Sequence, residues 1–238
     1  MAGRVSTPLV IDIAQLEKNL EHLEARIAKA CSRAGRLESS VQLVAVSKLH
    51  PPELLKRAYE CGVRHFGENY AQELRDKQAA LADLPGIRWH AIGPVQPKNA
   101  KYIAKAAHVF HALEKLEIAD ELSRRRTGEA LDCLVEVNVA RETSKAGIEH
   151  GDVAAFVEQV RRLPNLNVVG LMTMPPLTED PEASRLPFRA LHALAQRLGL
   201  QHLSMGSTHD FEVAIEEGAT LVRVGTALFG AREAVSQQ

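Results

Sequence analysis

Val41-Gln-Leu-Val-Ala-Val-Ser-Lys48-Leu-His-Pro51 is the stretch on which the reading of the fold turns. Val41, Leu43 and Ala45 alternate with Val44 and Val46 in a short, nearly continuous apolar run. Such a run suits a strand buried on both faces, as in a parallel sheet. Ser47 and Lys48 stand where it ends, and Pro51-Pro52 stop the strand and let a helix begin. Parallel α/β sheets carry their chemistry at the carboxyl ends of their strands. Lys48 therefore has two readings, a reactive amine or an ordinary charged residue at a strand end.

Downstream the same unit repeats. A helix over 52–61 stops at Gly62, a strand follows over 65–69, and a helix over 70–82 ends at Pro85-Gly86. Strands over 87–93 and 108–113 enclose a helix over 98–107, and a helix over 114–126 runs to Gly128. Next come a strand over 131–139, a helix over 150–162 and a strand over 167–173. A Pro/Asp/Glu-rich loop over 175–182 precedes a long helix ending near Gly199. A strand over 202–206, a short helix over 210–217 and a strand over 220–226 lead to a closing segment that reaches Arg232. Eight strands alternating with helices predict parallel pairing and right-handed crossovers, and so a single (β/α)8 TIM-type barrel. An open doubly wound sheet usually announces its nucleotide site by GxGxxG, and this sequence contains no GxG. The expectation is one α/β domain over 1–238, with the barrel at about 41–232 and an extra N-terminal helix packed outside it.

That helix is read over 12–34, where Ile13, Leu16, Leu20, Leu23, Ile27 and Ala30 recur at steps of three and four. A coiled-coil seam would require three or more sustained heptads, so the helix is expected to dock on the barrel, leaving a monomer or weak dimer. The net charge of -1 over 238 residues offers no electrostatic reason for nucleic acid or an anionic membrane as partner. Cys31, Cys61 and Cys133 form no CxxC, against both a disulfide framework and a cysteine zinc site. With no leader-like segment and no apolar run of membrane length, a cytoplasmic location is expected.

Barrels often bind phosphate with the loops after strands seven and eight. Those loops hold Ser204-Met-Gly206-Ser207-Thr208 and Gly225-Thr226, whose glycines let backbone N–H groups approach an anion and whose hydroxyls add donors. Thr208 is read as the N-cap of the 210–217 helix. Arg223 shares a strand face with Leu221 and Gly225, towards the barrel mouth, while Val222 and Val224 meet the helices. A buried guanidinium needs an acceptor, either a carboxylate such as Glu136 or a ring nitrogen of a bound heterocycle. An amine, a phosphate cradle and a cation beside a ring together describe pyridoxal 5′-phosphate. His90 is read either as a core histidine or as a site residue. His108 and His111 fall on opposite strand faces, so no metal is expected.

Ala45-Val-Ser-Lys48, Phe66-Gly-Glu-Asn69, Trp89-His-Ala-Ile-Gly93, Val137-Asn-Val followed by Glu142-x-Ser-Lys-x-Gly147, Gly170-Leu-Met172, Leu203-Ser-Met-Gly206 and Val222-Arg-Val-Gly-Thr-Ala-x-Phe-Gly-x-Arg232 resemble the YggS/PROSC family, the pyridoxal phosphate homeostasis proteins. The resemblance runs in order from about residue 40 to 232. It implies a barrel like the N-terminal domain of alanine racemase and a Schiff base between the cofactor and Lys48. It also implies that Arg223 meets the pyridine nitrogen, Gly225 and Thr226 hold the phosphate, and Asn69 lies near the cofactor. The implied role is to carry or buffer the cofactor for apo pyridoxal phosphate enzymes, with no catalytic residue. Ser207-Thr208-His209-Asp210 departs from the family's usual Met-Ser-Asp-Asp, Gln96-Pro-Lys-Asn99 reverses its Asn-Lys order, and Ala140 replaces a serine.

The chemistry agrees with a carrier. A cation beside the pyridine nitrogen disfavours its protonation and weakens the ring as an electron sink. Racemisation also needs a base on each face of the substrate carbon. The only tyrosines are Tyr59, Tyr70 and Tyr102, none placed as an opposing base; in the racemase relatives that tyrosine comes from a second, β-rich domain. The alternative reading is a racemase-like enzyme of low or narrow activity. A weaker one is an aldolase-type barrel using the Lys48 amine.

Overall fold

The computed structural model describes residues 12–139, 146–176 and 178–230. The apolar run after Val41 forms β1 (Gln42–Val46), which pairs in parallel with β2 (His65–Glu68) on one side and β8 (Leu221–Val224) on the other. From β2 the ring continues through β3 (Arg88–Ala91), β4 (Val109–Leu113), β5 (Leu131–Asn138), β6 (Leu166–Met172) and β7 (His202–Ser204) back to β8. Every pairing is parallel, so the eight strands close into a TIM barrel.

The crossovers are α2 (Pro52–Glu60), α3 (Ala71–Ala80), α4 (Ala100–Ala106), α5 (Leu116–Arg125), α6 (Val153–Val160), α7 (Arg185–Arg197) and α8 (Phe211–Glu216), and α9 (Thr226–Phe229) closes the described chain. Pro52 opens α2 at its first position, where the missing N–H costs nothing. The outward faces of the strands meet the helices through fully buried side chains such as Phe66, Phe110 and Val222. Each such burial contributes on the order of 1.5–3 kcal/mol.

α1 (Ile13–Arg33) is the extra helix, begun by Asp12, whose side chain accepts from Gln15 N. Its stripe of Leu16, Leu20, Leu23, Ile27 and Ala30 is buried against the barrel's own helices. Arg26 pairs with Glu212 at 2.8 Å, Arg33 with Glu216 at 2.6 Å, and Asn19 donates to the Leu228 carbonyl at 2.8 Å. The stripe is thus spent within the chain, on the helices that follow β7 and β8.

Three local expectations change. Ile148–Glu149 forms a two-residue strand beside the end of β5, too short to carry any periodicity. The helix read over 210–217 is only Phe211–Glu216, and Asp210 occupies its N-cap position in place of Thr208. Asp210 turns its carboxylate back to accept from Ser207 N at 2.7 Å and Ser207 Oγ at 3.0 Å, and this turn delays the helix. Thr208 lies within that turn. Residues 1–11 of the expected domain, Ala140, Glu142, Ser144, Lys145 and Arg232 lie outside the described residues.

Candidate functional site

Beyond the carboxyl ends of the strands lies a cleft of about 410 Å³, lined by Lys48, Asn69, Ile92, Ser207, Thr208, Arg223, Gly225 and Thr226 among others. Its size falls within the roughly 300–1,000 Å³ usual for small-molecule sites. β1 and β8 bring Lys48 and Arg223 together: Val44 stands opposite Arg223 in the ladder, and Lys48 follows two residues beyond the end of β1. The turn after β8 lies against β1, and a Cβ on Gly225 would sit 3.0 Å from the Val46 carbonyl oxygen. Glycine at 225 is what lets that turn draw in beside the Lys48 strand.

Asn69 enters from the end of β2. Its backbone is pressed against Gly93, where a Cβ would lie 2.4 Å from the Asn69 carbonyl oxygen. Among the described residues, Asn69 Oδ1 is buried with no hydrogen-bond partner. An orphaned acceptor in a cleft wall is costly unless something bound there donates to it.

Arg223 is buried, and its face assignment follows the strand alternation: Val222 and Val224 are fully buried among the helices, while Arg223 lines the cleft. Its Nη1 donates to Ser204 Oγ at 2.5 Å and its Nη2 to the Thr173 carbonyl at 3.1 Å. Both partners are neutral. Burial lowers the Arg223 pKa to about 10, against the opposing pull of Asp210 and Glu136. It remains a cation at neutral pH. Glu136 is buried nearby in electrostatic range, its carboxyl pushed up to about 7 by burial and Glu114, with Arg223 acting the other way.

Ser204 does not line the cleft. It is fully buried below it, between Arg223 and His111, whose Nδ1 lies 2.8 Å from Ser204 Oγ. His111 Nε2 meets His90 Nδ1 at 2.8 Å, and His90 Nε2 meets His65 Nδ1 at 2.9 Å. His90 is therefore a hydrogen-bonded histidine of the barrel interior. The row ends at a second cavity of about 450 Å³ at the opposite mouth of the barrel, lined by His65, Arg88, His90 and Leu221 among others. Among the described residues no group of three His, Cys, Asp or Glu side chains could hold a metal ion, and no helix is long and apolar enough to cross a membrane. The three cysteines are unpaired.

Sequence reasoning missed the histidine row, because its members come from three strands and only the closed ring brings them into line. It also missed Lys77, whose four-residue spacing from Glu73 reads as an ordinary helix-surface pair. Lys77 is buried, with Nζ on the Ser47 carbonyl at 2.6 Å and on Glu68 and Glu73 at 2.7 Å each.

Residues 11–233 match the family described as alanine racemase, N-terminal domain. A pyridoxal phosphate homeostasis protein of Aquifex aeolicus is 44% identical over 224 residues, covering 91% of this chain and 98% of that one. One from Pseudomonas aeruginosa is 44% identical over 225 residues, covering 93% and 97%. Among solved structures, PipY of Synechococcus elongatus with PLP bound matches at 33% identity and a TM-score of 0.78, covering 91% of this chain and all of that one. The alanine racemase of Corynebacterium glutamicum, at 17% identity and a TM-score of 0.69, shares the fold.

Proposed function

The chain belongs to the family of the pyridoxal phosphate homeostasis proteins, and from that premise we propose that it binds pyridoxal 5′-phosphate and carries or buffers it through Lys48, without catalytic turnover. The observation that carries this reading is the meeting of Lys48 with Asn69, Arg223, Gly225 and Thr226 in one cleft. When bound, the cofactor supplies an aldehyde that condenses with a primary amine, a C=N bond forming as water leaves. Lys48 is the amine that lines the cleft.

The other residues fit the same group. The hydroxyls of Thr208 and Thr226, beside the backbone at Gly225, offer donors to a phosphate. Asn69 Oδ1, buried without a partner, awaits a donor. Arg223 brings a positive charge fixed by Ser204 and Thr173, and a cation there disfavours a second positive charge on a neighbouring ring nitrogen. These residues would hold the cofactor in a form poor at stabilising a carbanion.

No tyrosine lines the cleft. Tyr59 donates to the Pro85 carbonyl, Tyr102 lies under the Arg75 guanidinium, and Tyr70 is exposed. A tyrosine base opposite Lys48 is thus missing among the described residues, which favours retention of the cofactor over racemisation.

The absorbance spectrum of the purified protein, before and after borohydride, tests the reading. A visible band that borohydride bleaches, with the label on Lys48, is expected, and Lys48→Ala should abolish the label. Labelling of another lysine overturns the assignment. Sustained racemisation of L-amino acids by the loaded protein overturns the carrier role in favour of a racemase-like enzyme.

A further inference from the structure

Lys48 is flanked by two peptide groups, and a side chain of α3 grips each of them. On one side Lys77 Nζ donates to the Ser47 carbonyl at 2.6 Å. On the other the Leu49 N–H donates to Glu73 Oε1 at 2.6 Å. Lys77 and Glu73 are themselves joined at 2.7 Å, one helical turn apart. Glu68 completes the cluster, accepting from Lys77 at 2.7 Å and from Ser47 Oγ at 2.6 Å. All three ammonium donors of Lys77 are thereby used, and none reaches the cleft, whose lining includes neither Lys77 nor Glu73.

The backbone held by this cluster is one the chain would not choose alone. Leu49 has φ +64, a left-handed conformation that a bulky side chain rarely adopts, and it is 54% exposed. Packing of the leucine side chain therefore does not enforce it. The bond from Leu49 N to Glu73, with the His50 N–H on the Ser47 carbonyl at 3.1 Å, does. Strained backbone held this way persists only where its surroundings over-determine it, and such sites cluster at functional positions. A lysine side chain swings through four rotatable bonds, so the direction in which it leaves the backbone decides how often its amine reaches one fixed point.

We propose that Lys77 and Glu73 are positioning residues for Lys48, clamping the peptide groups on both sides of it so that its amine is delivered into the cleft. This rests on Lys48 being the amine that takes the cofactor. Lys77 and Glu73 act on the backbone and touch no ligand.

The test follows covalent loading of the full-length protein, stripped of cofactor and mixed with pyridoxal 5′-phosphate. The Lys48 adduct is trapped by borohydride at timed intervals and counted by mass spectrometry. Lys77→Met and Glu73→Ala should slow formation of the adduct tenfold or more. Glu73→Gln, which keeps an oxygen for the Leu49 N–H, should stay within about threefold of the parent. In a Lys48→Ala background, reversible binding of the cofactor should be unchanged by Glu73→Ala, because only delivery of the amine is affected. Should Lys77→Met fail to fold, the two Glu73 variants decide. Loading at the parental rate in Glu73→Ala overturns the proposal, and so does equal slowing in Glu73→Ala and Glu73→Gln, which would assign the effect to charge. A matching loss of reversible binding in the Lys48→Ala background also overturns it. No Lys48 adduct in the parent protein would instead sink the functional reading, and the clamp with it.

Discussion

Arg223 donates from Nη1 to Ser204 Oγ at 2.5 Å, and from that hydroxyl a row of three histidines runs through the barrel interior. A guanidinium can only donate. Ser204 Oγ accepts from it and lies 2.8 Å from His111 Nδ1. His111 Nε2 meets His90 Nδ1 at 2.8 Å, and His90 Nε2 meets His65 Nδ1 at 2.9 Å. Each of these contacts pairs one donor with one acceptor nitrogen, which a row of neutral imidazoles satisfies and a row of imidazolium ions could not. The cation in the cleft wall is thus braced by a polar row that reaches the opposite mouth of the barrel.

Replacing Ser204 by Ala removes the acceptor of a charged donor and leaves His111 Nδ1 buried without a partner. A lost bond of this kind costs about 1.5–3 kcal/mol. The urea midpoint of Ser204→Ala should fall accordingly with an unchanged slope. A midpoint equal to the parent's would show that the row carries no stability.

The same row predicts an acid limb. Burial lowers the His65 pKa from 6.5 to about 4, helped by Arg88 and His108. His90 and His111 are held well below 6.5, again by burial first, then by His111 and His65 for the one and Arg223 for the other. In the unfolded chain all three take up protons near pH ~6.5. The unfolded state therefore binds more protons between the two values, and stability rises with pH there. The contribution is complete above about pH 6.5 and is lost as the pH falls towards 4. Urea midpoints taken from pH 7 down to 4 should decline, and His65→Phe should flatten part of that decline.

Glu68 works in the opposite sense. Burial raises its carboxyl from 4.5 to about 7, in spite of Lys77. The folded state now holds the proton more tightly, so its contribution is present below about pH 4.5 and is lost as the pH rises through 7. Over much of that interval it partly cancels the histidines. Glu68→Gln should therefore steepen the rise of the urea midpoint between pH 4.5 and 7. An unaltered slope would mean that Glu68 titrates in the fold as it does in the open chain.

The alternation of apolar runs with Gly and Pro stops made the barrel legible, because a parallel sheet buries both strand faces and leaves a continuous signal. Arg223 was legible for a related reason, since a charge within such a run has to face the interior. What stayed hidden depends on closure. Ser204 looks like a phosphate-loop hydroxyl until the strand register lays it under Arg223 and beside His111, 93 residues away in sequence. Lys77 looks solvated until α3 folds onto the end of β1. The family resemblance supplied roles for Lys48 and Asn69, but not the reason Asn69 sits where it does.

That reason is Gly93, and it yields a sharp contrast. Gly93 is not in the left-handed region, so alanine there meets no conformational penalty. The obstacle is steric, because its Cβ would stand 2.4 Å from the Asn69 carbonyl oxygen and 3.0 Å from Asn69 Cα. Backbone cannot rotate aside as a side chain can, and overpacking of this kind costs about 1–3 kcal/mol. Gly128 is the opposite case, with φ +80 and nothing within 4 Å of its missing Cβ. Alanine at 128 should cost a comparable ~1–2 kcal/mol of backbone strain and leave Asn69 undisturbed. Both variants should therefore lose stability in urea, while only Gly93→Ala should also weaken reversible cofactor binding measured in a Lys48→Ala background. If the two variants bind the cofactor equally well, Asn69 is not part of its seat, and the partnerless Oδ1 needs another explanation.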